Sequence, residues 1–142
     1  PKMRMQMVKV GDDICIWNDA YNANPQSMQV ALAAFQTVRS KGRKIAVLGE
    51  MRELGAFSER AHLATGAAVA RAQCDMLVAV GKDAVWMAKG ALDAGMGIHQ
   101  VEQFASAKEA GGWLKENTKS GDVLLLKGSR GNKLETILDF WK

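Results

Sequence analysis

No phosphate-gripping loop of the form G-x-x-x-x-G-K-[ST] occurs anywhere in these 142 residues. The nearest approach, Gly81-Lys82-Asp83, lacks both the upstream glycine and the hydroxyl residue. No G-x-G-x-x-G follows a strand pattern, and no Ser or Cys sits in a nucleophile elbow, so neither a dinucleotide fingerprint nor a hydrolase triad is indicated. The two cysteines, Cys15 and Cys74, stand alone inside apolar stretches. They read as buried thiols in a reducing compartment. His62 and His99 are far apart, no Cys/His cluster has metal-ligand spacing, and each histidine reads as structural. The net charge of +4 comes from scattered Lys and Arg, which argues against nucleic acid and leans mildly toward anionic ligands. No run approaches the roughly 18 apolar residues of a membrane span. The basic start, Lys2 and Arg4, leads into a polar strand pattern, so no secretory leader is expected. The first residue is Pro1 and a compact pattern begins almost at once, so the chain is expected to be a piece of something longer.

What is present is a core: 48% of the residues are apolar and 24% charged, enough for one domain over 1–142. MQMVKV (5–10) and ICIW (14–17) read as two strands joined by a hairpin turn at Gly11-Asp12-Asp13. After Pro25 the period changes to helical, with Met28, Ala31, Leu32, Phe35 and Val38 on one stripe and Gly42 ending it. KIAVLG (44–49), MLVAVG (76–81), IHQV (98–101) and DVLLLKG (122–128) are further strands. Between them lie helices capped by Ser58, over 83–95, and behind a Ser106/Glu109 capping box. Leu134, Ile137, Leu138 and Trp141 stripe a last helix. Continuous apolar strands mean burial on both faces, as in a parallel sheet covered by helices. The prediction is a doubly wound α/β domain with one antiparallel edge strand.

Ligands of such sheets bind beyond the carboxyl ends of the strands. Those ends are NDAYNANP, GEMRELG, GKD and KGSRGNK. Asn24 before Pro25 is a natural helix cap, which does not exclude ligand contact. Asp19 at a strand end suits a ribose hydroxyl pair, and Asn22 offers the donor and acceptor an adenine edge needs. Local loop satisfaction is the competing reading for both. In KGSRGNK, Gly128 and Gly131 would let backbone approach a ligand, ahead of helix amides that favour anions. Lys127 adds a point charge and Arg130 a bidentate fork. The alternatives are a solvated basic turn and a plain Asn132/Glu135 capping box. Glu50, Arg52 and Glu53 form either an orienting loop or an internally salt-bridged turn.

Three segments together, NDAYNANPQSM, AVLGEMRELG followed by His62, and LLLKGSRGNKLE, resemble the C-terminal domain of the Mur ligases, in the branch that adds D-alanyl-D-alanine. The resemblance runs along nearly the whole chain. It implies a Rossmann-like, three-layer domain with a six-stranded sheet, one strand antiparallel, as the last of three domains. The P-loop then lies in a central domain, which also holds Mg2+. The implied reaction is cytoplasmic: ATP phosphorylates the carboxylate of UDP-N-acetylmuramoyl-tripeptide, and D-alanyl-D-alanine attacks the acyl phosphate, a step of peptidoglycan synthesis. The resemblance assigns Arg4, Asp19, Tyr21, Asn22 and Asn24 to ATP, and Lys127, Ser129 and Arg130 to the dipeptide. The isolated domain is expected to be inactive. A sister ligase using another amine, or a non-catalytic nucleotide-binding module, are the other readings.

Overall fold

A computed structural model describes residues 5–142. One six-stranded sheet organises them, with β1 (Gln6–Val10), β2 (Ile14–Asp19), β3 (Lys44–Gly49), β4 (Met76–Val80), β5 (Val101–Phe104) and β6 (Val123–Lys127) in the spatial order β1-β2-β6-β3-β4-β5. β1 is the antiparallel edge strand, in register Val10 to Ile14 across the predicted turn, and the other pairs are parallel. The last strand in sequence, β6, lies between β2 and β3.

Each central strand sends alternate apolar side chains to opposite faces, and each face has its own cover. Ala46, Leu48, Leu77, Ala79 and Leu125 pack under α1 (Pro25–Gln36), α2 (Ser58–Arg71) and α3 (Ala84–Asp93). Ile45, Val47, Val78, Leu124 and Leu126 pack under α4 (Ala107–Asn117) and a terminal 3-10 helix (Leu134–Trp141). The three layers of the expected Rossmann-like fold are therefore present. No helix among the described residues is long and apolar enough to cross a membrane.

Three local expectations are corrected. The strand expected over IHQV is a 3-10 turn (Ile98–Gln100), and β5 begins at Val101. The Gln100 side chain explains the shift. Its Oε1 accepts the Gly97 N–H at 2.7 Å and its Nε2 donates to the Asp75 carbonyl at 3.0 Å, closing the turn against the start of β4. Ser58 does not cap α2 but is its first helical residue, after a 3-10 turn at Gly55–Phe57. The last helix is 3-10 rather than α, which fits its sequence: three residues per turn align Leu134, Ile137 and Phe140 along one line and Leu138 and Trp141 along the next. Leu134 and Ile137 are buried, and the Phe140 ring lies where a side chain on Gly111 would be.

Two glycines set the spacing of α2 and α3. A Cβ on Gly66 would run into the Met87 carbonyl, and one on Gly90 into the Leu63 carbonyl, so the helices touch backbone to backbone. At the amino end of the sheet, buried Asp122 is the fastening. Its Oδ1 accepts the Arg43 N–H at 2.8 Å, and its Oδ2 accepts the Lys119 N–H at 2.8 Å and the Arg43 guanidinium at 3.0 Å. Burial alone would raise the carboxyl's pKa. The Arg43 and Lys119 backbone donors and the guanidinium outweigh it and hold it below the ordinary value.

Gly66→Ala is expected to cost about 3 kcal/mol, the upper part of the overpacking range, because the obstacle is backbone that cannot turn away; urea unfolding measures it. A depressed carboxylate contributes stability above its unfolded pKa of about 3.9 and loses it as pH falls through the lower folded value. Asp122→Asn should therefore be less stable at pH 7 by about 1–3 kcal/mol and show a shallower loss of stability as pH falls below about 4.

Candidate functional site

Parallel pairing brings the carboxyl ends of β2, β6, β3 and β4 side by side. Asp19 stands opposite Lys127, Lys127 opposite Leu48, and Gly49 opposite Val80. β2 runs two residues beyond the expected ICIW, so Asp19 is the last strand residue rather than a loop residue. That register creates the central contact of the rim. Lys127, only 3% exposed, donates from Nζ to Asp19 Oδ2 at 2.8 Å and to the Asn22 carbonyl at 3.0 Å. The pair neutralises two charges where water is largely excluded. It also pins the arch of residues 20–24 to β6.

The arch then closes on itself. Asn22 Oδ1 accepts the Ala23 N–H at 2.9 Å. Asn24 Oδ1 accepts the Ser27 N–H at 2.8 Å, while Ser27 Oγ accepts the Asn24 N–H at 3.0 Å, a full capping box ahead of Pro25. Asn24 therefore does cap α1. Tyr21 projects from the crest, and the Arg130 guanidinium stacks on its ring at 4.2 Å from the centroid and donates to its hydroxyl. The two loops of interest thus meet at one cation–π contact.

A cleft of about 670 Å³ opens between this arch and α1, lined by Asp19, Tyr21, Asn22, Asn24 and Lys127 with an aliphatic wall from Val30 and Ala31. Val30, 64% exposed, lies off the apolar stripe of α1. That misplaced apolar residue was the sequence signal for this wall, and pattern reading passed over it. A smaller cavity of about 220 Å³ lies beyond Tyr21, lined by Asn18, Ala20, Arg130 and Glu135. Arg4 falls outside the described residues.

The KGSRGNK loop differs from its expected form. It first makes a three-residue 3-10 turn, Arg130–Asn132, and the helix that follows, Leu134–Trp141, is 3-10 rather than α. Asn132 does not pair with Glu135. Its Oδ1 turns back to accept the Ser129 N–H at 2.8 Å and hydroxyl at 2.9 Å. The glycines serve neighbouring side chains rather than a ligand's approach: Gly49 and Gly128 make room for Asn132, and Gly131 for the Arg52 guanidinium. Lys127 and Ser129 consequently face inward, and of the three residues assigned to the dipeptide only Arg130 is exposed.

The GEMRELG loop is not an internally salt-bridged turn; Glu50, Arg52 and Glu53 form no ion pair among the described residues. Buried His62 fixes it. Its Nε2 accepts the Met51 N–H at 2.9 Å and its Nδ1–H donates to the Ser58 carbonyl at 2.7 Å, which defines the neutral tautomer. Glu50 accepts the Asp83 N–H at 3.3 Å, and Ser58 donates to Asp83 at 3.1 Å. Burial pushes the Cys74 thiol up to about 12 and raises Cys15 too, so neither is a ready thiolate. Among the described residues no three His, Cys, Asp or Glu side chains are grouped to hold a metal ion.

A doubly wound sheet with this rim matches one class of domain: the family model described as "Mur ligase, glutamate ligase domain" aligns with residues 3–130. The chain belongs to the Mur ligase family. Within it, the chain is similar to UDP-N-acetylmuramoyl-tripeptide–D-alanyl-D-alanine ligase of Bacillus subtilis, 37% identical over 96% of this chain and 30% of the relative. It is also similar to the MurF ligase of Thermotoga maritima in complex with ADP (TM-score 0.77, 26% identity, 97% of this chain and 30% of that one). Against MurF of Acinetobacter baumannii the TM-score is 0.82 at 28% identity, covering 96% and 30%. The chain thus spans about 30% of the length of the relatives it matches.

Lys127→Met and Asp19→Asn should each destabilise the domain, the lysine variant by about 3–5 kcal/mol because it strands a carboxylate at the rim. The double variant should cost less than the sum by about 1–3 kcal/mol, read from urea unfolding as a double-mutant cycle.

Proposed function

We propose that residues 1–142 form the C-terminal domain of an ATP-dependent ligase that joins D-alanyl-D-alanine to UDP-N-acetylmuramoyl-tripeptide, a cytoplasmic step of peptidoglycan synthesis. The observation that carries the reading is the rim itself. A cleft of about 670 Å³, within the size range of small-molecule sites, ends on an acidic side chain whose conformation is already fixed. The similarity to the Bacillus subtilis ligase and to the ADP-bound Thermotoga protein supports it.

The residues divide the work as follows. Lys127 occupies Asp19 Oδ2, and Oδ1 remains to accept a ribose hydroxyl. The Val30 and Ala31 wall takes the flat face of the base, and the Asn22 amide group reads its edge. Asn24 and Tyr21 complete the cleft, and the resemblance assigns Arg4 to ATP as well. Arg130, stacked on Tyr21, offers its guanidinium fork to the dipeptide carboxylate. Lys127 and Ser129 support it from behind, by holding the arch and the turn.

The triphosphate and Mg2+ are gripped by the central domain. There the tripeptide carboxylate takes the γ-phosphoryl group, giving ADP and an acyl phosphate. The dipeptide amine attacks the acyl carbon, the C–N bond forms, and phosphate leaves with the electrons of the C–O bond. Closure of this domain would align amine and acyl phosphate and keep water from the intermediate. The domain alone lacks the phosphate grip and has no turnover.

In the full-length enzyme, Asp19→Asn should raise KM for ATP about tenfold with less effect on KM for D-alanyl-D-alanine. Arg130→Ala should raise KM for the dipeptide by roughly 10–100-fold or lower kcat, the span of one charge-assisted hydrogen bond. Steady-state kinetics with each substrate varied in turn checks the split; equal effects on both substrates would remove these assignments.

A further inference from the structure

One buried titratable group takes no part in the reaction described above. His62 lies in α2, fully buried, with its two ring nitrogens committed in opposite senses. Nε2 accepts the Met51 N–H at 2.9 Å, just past the end of β3, and Nδ1–H donates to the Ser58 carbonyl at 2.7 Å, at the start of α2. The Ser58 hydroxyl donates to Asp83 at 3.1 Å, and the Asp83 N–H, ahead of α3, donates to Glu50 at 3.3 Å. Glu50 is joined to Met51 by the chain itself, so the contacts close a circuit through residues 51, 62, 58, 83 and 50. A neutral imidazole supplies one acceptor and one donor from opposite sides of a rigid ring. A leucine would fill similar space but leave the buried Met51 N–H without its partner.

The circuit anchors a strained loop. Past Met51 the backbone turns through the left-handed region twice, at Glu53 (φ 62°) and at Gly55 (φ 56°). A residue with a side chain holds that conformation only where its surroundings impose it. Between the anchor and these turns stands Arg52, exposed, and its guanidinium occupies the place a side chain on Gly131 would take. Gly131 follows Arg130 in the turn whose arginine lies on the Tyr21 ring. Contact therefore runs without a break from the interior of α2 to the crest of the rim.

We propose that His62 is a positioning residue for the ligation: its fixed tautomer sets the loop over 51–57, and Arg52 passes that setting to the Arg130 turn. The assignment rests on the ligase reading above and adds to it a residue remote from every reacting atom. His62 lines neither the cleft nor the smaller cavity, so it acts through the loop and not by touching a ligand. Arg52 and the members of the circuit are likewise absent from the lining of the nucleotide cleft, so the effect falls on the dipeptide side alone.

The test uses the full-length ligase carrying His62→Gln, His62→Leu, Arg52→Ala, or the last two together. It reads kcat/KM for D-alanyl-D-alanine, KM for ATP, Tm, and amide hydrogen exchange over 50–57. In His62→Gln the side-chain oxygen replaces Nε2 as acceptor for Met51, so kcat/KM should stay within about threefold of the parent and the loop should remain protected. His62→Leu should lower kcat/KM for the dipeptide about tenfold, leave KM for ATP within about twofold, and speed exchange across the loop. Arg52→Ala should give the same loss at the parental Tm, because it truncates an exposed side chain. The double variant should be no worse than the more impaired single one, as for two residues acting in series. Losses that add, parental kinetics in Arg52→Ala, or a glutamine variant as impaired as the leucine one each overturn the assignment. Arg52→Ala and His62→Gln decide the question even where His62→Leu does not fold. A parent enzyme without dipeptide ligase activity overturns the proposed function instead, while exchange over 50–57 still reports on the His62 anchor, so the two failures are distinct.

Discussion

The rim is built on one ion pair. Lys127 sits at the end of a strand buried on both faces, where a lone ammonium would be severely desolvated, and Asp19 ends the neighbouring strand. Each makes the other tolerable, and the third party is a carbonyl of the arch they hold. With the arch fixed, Asn24 reaches the start of α1, Tyr21 stands at the crest, and Arg130 has a ring to lie on. The cleft and the smaller cavity are the two sides of that crest.

The two ends of the sheet follow opposite rules. At the amino end Asp122 gathers three donors, and its carboxylate oxygens are both in use. At the carboxyl end polar groups are left over: Asp19 Oδ1 and the Asn18 carbonyl have no hydrogen-bond partner among the described residues. Incomplete satisfaction of this sort is what a protein accepts where a ligand is to complete the set.

Most of the fold could be read from sequence because parallel strands buried on both faces are unbroken apolar runs, and four of them, ICIW, KIAVLG, MLVAV and VLLLK, stand out here. The exception is instructive. IHQV looked like a strand by residue type, but the Gln100 amide bonds the Gly97 N–H and, 25 residues away, the Asp75 carbonyl, and the second contact is a tertiary matter no local pattern encodes. The site's location followed from topology alone, since ligands of such sheets gather at the strand ends. Its wiring did not. Lys127 and Asp19 are 108 residues apart, so their pairing depends on β6 lying next to β2. The glycines of KGSRGNK were legible as glycines but not as to purpose, because the occupants of their free space, Asn132 and Arg52, arrive by the turn and by another loop.

The placement of β6 also governs when the domain can exist. Its neighbours β2 and β3 never touch each other; each pairs with β6 instead. Until Val123–Lys127 has left the ribosome, β1 and β2 form a hairpin with nothing beside it, and β3, β4 and β5 form a separate parallel ribbon with an open edge. The final strand inserts between them like a keystone, so compaction is deferred almost to the end of translation of this segment. Long-range closure of that kind folds slowly and leaves the apolar edge of β3 bare in the meantime, a natural client for a chaperone that binds extended apolar segments.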